Sequence, residues 1–156
     1  MKKLVLLTTF LAFFVFAGTV LAKSEKAKGP AEKATGMACG APRGWCVEFN
    51  AHEGLGDKPA KGNMRTWSNE VGRELFYTVG VVTVDGNFAE FIALCTYDSS
   101  TTDNREGRRL YVKVEDNGEP GWENDYFGWN WDDFGSNKWV VTSGNIQVHT
   151  YETPTE

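Results

Sequence analysis

From Trp45 onward, apolar residues recur at every second position in short runs, and Gly, Asn or Asp interrupts those runs at intervals of roughly eight to twelve residues. A period of two places alternate side chains on opposite faces of an extended chain, and no helix-period stretch competes with it after the N-terminus. The pattern predicts an all-β, single-domain antiparallel β-sandwich of about seven short strands. Its clearest part is a hairpin, with residues 75–84 and 87–96 as strands and Asp85-Gly86 as the turn. Both central residues of such a turn must tolerate positive φ, which Asp and Gly do. Gly80 interrupts the first of these strands and marks either a bulge or a close approach of an aromatic ring. Further strands are expected over 45–51, 63–67, 108–115, 125–131, 138–142 and 145–151. Trp45, Val47, Phe49 and Ala51 share one face, as do Leu110, Val112 and Val114, which implies one buried and one wet side.

The chain begins with Lys2 and Lys3, an apolar run over residues 4–17, and Val20-Leu21-Ala22, which carry the charge, core and small-residue pattern of a cleaved export signal over 1–22. The run is shorter than the ~20 residues a spanning helix needs. Lys23 follows it where a lipid-anchored protein would carry a cysteine. The expected product is secreted or periplasmic, with no membrane contact after cleavage. Residues 23–43, rich in Lys, Ala and Gly, read as a flexible polar leader, residues 44–152 as the domain and 153–156 as a tail. The net charge of −5 argues against nucleic acid as a partner.

An exported chain with three cysteines is expected to hold one disulfide and one spare thiol. Cys39 with Cys46 closes the shortest loop and contributes about 2–3 kcal/mol in the loop-entropy picture. Cys46 with Cys95 is the rival pairing. No Cys-x-x-Cys pair or histidine cluster points to a metal on these sulfurs.

In the second half, the residues from Val114 through Asp116-Asn117-Gly118-Glu119-Pro120-Gly121, then Asp125-Tyr126-Phe127, then Gly144-Asn145-Ile146-Gln147-Val148-His149 form a combined pattern. It resembles the post-COAP-type small β domain of secreted bacterial proteins, and the likeness extends back to Phe49-Asn50-Ala51 and the Val84-Asp85-Gly86-Asn87 turn. The resemblance implies a compact exported β domain; it brings no activity and no functional residues. The chain departs from the pattern in its aromatic block Phe127-Gly128-Trp129-Asn130-Trp131 and in the polar insertion over 98–107. Read directly, the Asp-Asn-Gly-Glu-Pro-Gly run is a sharp reversal between strands, built from turn-forming residues.

Three functional readings follow from particular residues. Trp129 and Trp131, two apart in a strand, share a face, and with Trp122 in the preceding turn they are candidates for stacking on sugar rings; with Phe127 on the same face they equally suit a core. Asp116, Glu119 and Asp125 offer hard oxygen ligands for a structural calcium, although EF-hand spacing is absent and turn formation accounts for the same residues. No catalytic signature is present: only two histidines exist, His52 and His149, and no nucleophile elbow or phosphate loop occurs. The expectation is an exported, non-catalytic binding or structural module whose exact role and partner the sequence leaves unknown, a polysaccharide or cell-envelope component being the candidate partner. A carbohydrate-binding module using surface tryptophans is the alternative, and a secreted hydrolase, which needs a cleft lined by acids of shifted pKa, is the more distant one.

Overall fold

The computed structural model describes residues 31–150. The export signal at 1–22, the first residues of the leader and the tail at 153–156 lie outside the described residues. Nine strands form: β1 Lys33–Ala41, β2 Trp45–His52, β3 Lys61–Ser68, β4 Arg73–Asp85, β5 Phe88–Asp98, β6 Arg109–Glu115, β7 Tyr126–Asn130, β8 Trp139–Val140 and β9 Ser143–His149. All pair antiparallel in one sheet, in the order β8-β7-β6-β5-β4-β3-β2-β1-β9. The all-β antiparallel expectation holds. The strand order, however, is that of one curled meander, and the two-sheet sandwich with about seven strands is replaced by a single nine-stranded sheet.

β8 and β9 are the two halves of one bent segment, and the sheet curls until its edges meet there. On one side of the bend Val141 exchanges backbone bonds with the approach to β7, donating to the Asp125 carbonyl at 3.0 Å and accepting from the Glu123 N–H at 2.7 Å. On the other, the Thr142 N–H donates to the Cys39 carbonyl of β1 at 2.8 Å. Joining the edges in this way leaves few unpaired strand groups, the usual hazard of an open sheet.

The inward side chains fill the space so enclosed. Phe49 of β2 and Phe91 of β5, on strands that are not neighbours, bring their rings to 5.3 Å across the interior. Around them Val47, Leu110, Val112, Val114, Phe127 and Ile146 are fully buried. Each such side chain removed from water stabilises the fold by about 1.5–3 kcal/mol. The alternation expected for β2 and β6 is the alternation observed.

The leader expected over 23–43 is corrected over its second half, where Lys33–Ala41 is a strand held on both sides, by β2 and by β9. Its inward positions carry Ala34 and Ala38, both fully buried, and a Cβ on Gly36 would come within 2.4 Å of the Asn145 carbonyl oxygen. Small residues are what this crowded strand requires, and small residues give no hydropathy signal. Cys39 and Cys46 stand directly opposite each other on β1 and β2 and form the disulfide. Cys95, the rival partner, is buried on β5, and its thiol donates to the Tyr97 carbonyl at 3.3 Å. Burial pushes that thiol up to about 11, so it stays protonated and unreactive at neutral pH.

The expected hairpin forms with a one-residue shift. Asp85 pairs with Phe88, so Gly86 and Asn87 make the turn, with Gly86 at φ 60° in the first central position. Gly80 marks a bulge: the register slips between Val79 and Val81, and the buried positions switch from Leu75, Tyr77 and Val79 to Val82 and Val84. A Cβ at Gly80 would meet nothing, so no aromatic approaches it.

Candidate functional site

One end of the curled sheet is where β2 and β4 begin and where β3, β5 and β7 finish. A pocket of about 150 Å³ opens there, walled by Trp45, Leu75, Tyr77, Trp129 and Trp131 and bordered by Thr66, Arg73 and Arg105. The wall follows from the alternation: Trp45, Thr66, Leu75, Tyr77 and Trp129 occupy inward positions near the strand ends, where the core side chains stop. Inward Thr66 is buried, and its hydroxyl lies 3.2 Å from the Tyr77 hydroxyl. Burial raises the Tyr77 phenol above its ordinary value, with the Thr66 hydrogen bond opposing, so it remains a neutral donor.

The polar border is organised by a buried carboxylate. Asp98, the last residue of β5, accepts the Arg73 Nε at 2.9 Å and the Arg73 Nη2, together with the N–H groups of Ser100 at 2.9 Å and Arg105 at 2.8 Å. Burial pushes the Asp98 carboxyl up, and these hydrogen bonds outweigh it, so the group sits below the usual carboxylate range. The polar insertion over 98–107 is thereby wrapped around Asp98. Within it Asp103 accepts the Nε of Arg105 at 3.1 Å and its Nη2 at 2.6 Å. Those bonds hold the Arg105 guanidinium over the Trp131 ring at 5.3 Å, and Arg108 lies at the same distance from that ring.

Trp129 and Trp131 do not form a flat outward platform. Both are partly buried against the core. Trp129 packs edge-on to Trp139 at 5.0 Å and against Phe127 at 5.6 Å, and Trp131 lies 6.4 Å from Tyr77. They pack against the core, and their remaining surface lines the pocket. Trp122 stands apart from them in the turn before β7 and is 50% exposed.

The calcium candidates Asp116, Glu119 and Asp125 accept hydrogen bonds along a strand edge. The outer edge of β9 carries backbone N–H groups that no strand meets, and side chains of the β6–β7 loop take them. Asp125, fully buried, accepts the Ile146 N–H at 2.9 Å and the Asn117 N–H at 2.8 Å. Asp116 accepts the Val148 N–H and the Gly118 N–H, both at 3.0 Å. Glu119 accepts from the Asn145 amide at 2.7 Å. These oxygens close a seam of the sheet, and among the described residues no group of three or more His, Cys, Asp or Glu is placed to hold a metal ion. Burial raises the Asp125 carboxyl above its ordinary value; the two N–H donors oppose this, and the neighbouring Asp116 and Glu119 add to it. Gly121 allows the loop this close, since a Cβ there would come within 2.2 Å of an Asp125 carboxylate oxygen.

The sequence reading missed Trp45, Thr66, Tyr77, Arg73 and Arg105 as site residues. The signal present for Thr66 and Ser68 was polarity at positions in phase with inward Met64, just before a turn. No family model matches the chain, and no curated protein or solved structure matches it.

Proposed function

We propose that this protein is an exported, non-catalytic binding protein that holds a small organic ligand in the aromatic pocket at the end of its curled sheet. The observation that carries this reading is the convergence of three indoles and a hydroxyl pair from β2, β3, β4 and β7 on one cavity of about 150 Å³. Apolar walls with a few placed polar groups are the general form of a small-molecule site. Asp98 and Asp103, which pair with the pocket's arginines, are held below the usual carboxylate range by them and serve as fixed charges, which supports binding over acid catalysis. The post-COAP resemblance rests on the sequence motifs and adds the expectation of export. Saturation-transfer NMR with a panel of single-ring compounds tests the reading on the parent and on Trp45→Leu. Contacts that appear with the parent and vanish in the folded variant support it; a parent that binds none of the panel overturns it.

A second reading, carbohydrate binding at the surface, is favoured by one observation, the half-exposed Trp122 ring. Retention on insoluble polysaccharides that is lost in a folded Trp122→Ala variant would establish it, and no retention of the parent on any glycan would end it.

A further inference from the structure

Resting on the reading that this pocket is the ligand site, we propose that its ligand is a single-ring organic anion. The ring packs among Trp45, Trp129 and Tyr77, and the acidic group faces Arg105. The first argument is size. An open pocket of about 150 Å³ has room among its walls for a single ring, the size of cavity that benzene fills in a protein interior.

The second argument is the balance of donors and acceptors. Among the described residues the one buried side-chain N or O atom without a partner is Asn145 Oδ1, at the far seam. The indole N–H groups of Trp45, Trp129 and Trp131 form no hydrogen bond with a described residue. No carboxylate lines the pocket; its acceptors are the hydroxyl oxygens of Thr66 and Tyr77, which already face each other. A lining that includes two arginines and no carboxylate complements a ligand rich in acceptors.

The third argument is charge. Arg73 spends its donors on Asp98 and Asp103. Arg105 spends Nε and Nη2 on Asp103 and leaves Nη1 without a partner among the described residues. Arg73 and Arg105 line the pocket, and neither Asp98 nor Asp103 does. An ammonium ligand would face two arginines and is disfavoured, although aromatic walls alone would suit it. Arg105 is already oriented by Asp103 and by the Trp131 face, so little of its freedom remains to be lost when an anion docks.

Isothermal titration of the full chain with benzoate, and with benzamide as its neutral isostere, tests the proposal. Benzoate is expected to bind about tenfold more tightly than benzamide, and raising the salt concentration should weaken benzoate alone. Arg105→Gln should remove the preference while leaving benzamide binding in place, and Arg105→Lys, which keeps the charge without the fork, should retain part of it. Equal affinity for the two compounds overturns the anion assignment and keeps the pocket as a site. Binding of neither compound overturns the pocket reading itself, and with it this one.

Discussion

Among the described residues two carboxylates are buried, one near each end of the curled sheet, and they are stabilised by opposite means. Asp98 faces a guanidinium and two backbone N–H groups, and the balance favours its ionised form. Asp125 is more deeply buried and faces two backbone N–H groups with Asp116 and Glu119 nearby, and the balance disfavours its ionised form. The first organises a loop and sets two arginines beside the pocket. The second supplies acceptors to a strand edge that no other strand reaches. Burial costs a carboxylate in either place; what differs is whether a cation offsets that cost.

The largest effect is expected at Asp98. Asp98→Ala leaves the largely buried Arg73 guanidinium without its main partner and frees two loop N–H groups, for an expected loss of about 3–5 kcal/mol in urea unfolding. A loss below about 1 kcal/mol would mean that water replaces the pair and that the contrast between the two ends is not real. Asp125→Ala comes next. It strands the Ile146 and Asn117 N–H groups, each worth about 1–3 kcal/mol when left unsatisfied in the interior, so a loss of about 2–4 kcal/mol is expected. Hydrogen exchange separates the variants: the Asp125 change should speed exchange at Ile146, and the Asp98 change at Ser100 and Arg105. Identical exchange patterns would show that the two ends unfold as one unit.

The pH dependence of the two variants should run in opposite directions. An Asp whose folded pKa is lowered stabilises the fold above its unfolded value near about 4, and the contribution fades as pH falls through the folded value. The Asp98 contribution therefore fades on acidification, and the gap between parent and Asp98→Asn is widest near neutrality. For Asp125 the folded pKa is raised, so the fold loses stability as pH rises from about 4 through that value. The gap between parent and Asp125→Asn should be widest in acid and narrow toward neutrality. Three stability curves measured from pH 3 to pH 7, of the parent and the two variants, suffice, and parallel gaps would break the comparison.

The sequence shows more of the strands than of either carboxylate's role. The alternation of Val47, Phe49 and Ala51, or of Leu110, Val112 and Val114, marks inward faces directly because large apolar residues recur at period two. β1 was hidden because its inward residues are Ala34, Gly36 and Ala38, chosen for a crowded place and indistinguishable by composition from a linker. The curl was hidden too: the same alternation serves a sandwich and a single sheet, and what distinguishes them is pairing between β1 and β9, at opposite ends of the described chain. For the pocket, Trp129 and Trp131 were visible from their spacing, whereas Arg73, Arg105 and Thr66 acquire their roles when four strands and the 98–107 loop converge. Asp116 and Asp125 were visible as acids in a turn with calcium as the alternative, and their bonds to β9 were not, because an unpaired strand edge wants the same oxygens as a turn or a metal ion.

The smallest effect is expected at Glu119 and gives the sharpest view of why the two ends differ. Glu119 is exposed and lies close enough to Asp125 to raise its pKa, while its carboxylate accepts from the Asn145 amide. Glu119→Gln keeps an oxygen for Asn145 and removes the charge. Stability should change by less than about 0.5 kcal/mol, as is usual for a surface substitution. The Asp125 titration, followed by NMR of its carboxyl carbon, should move down toward the ordinary value, because one of the two negative neighbours is gone while burial and both N–H donors are unchanged. An Asp125 titration that does not move would assign the raised value to burial and Asp116, and the contrast with Asp98 would then reduce to the presence or absence of Arg73.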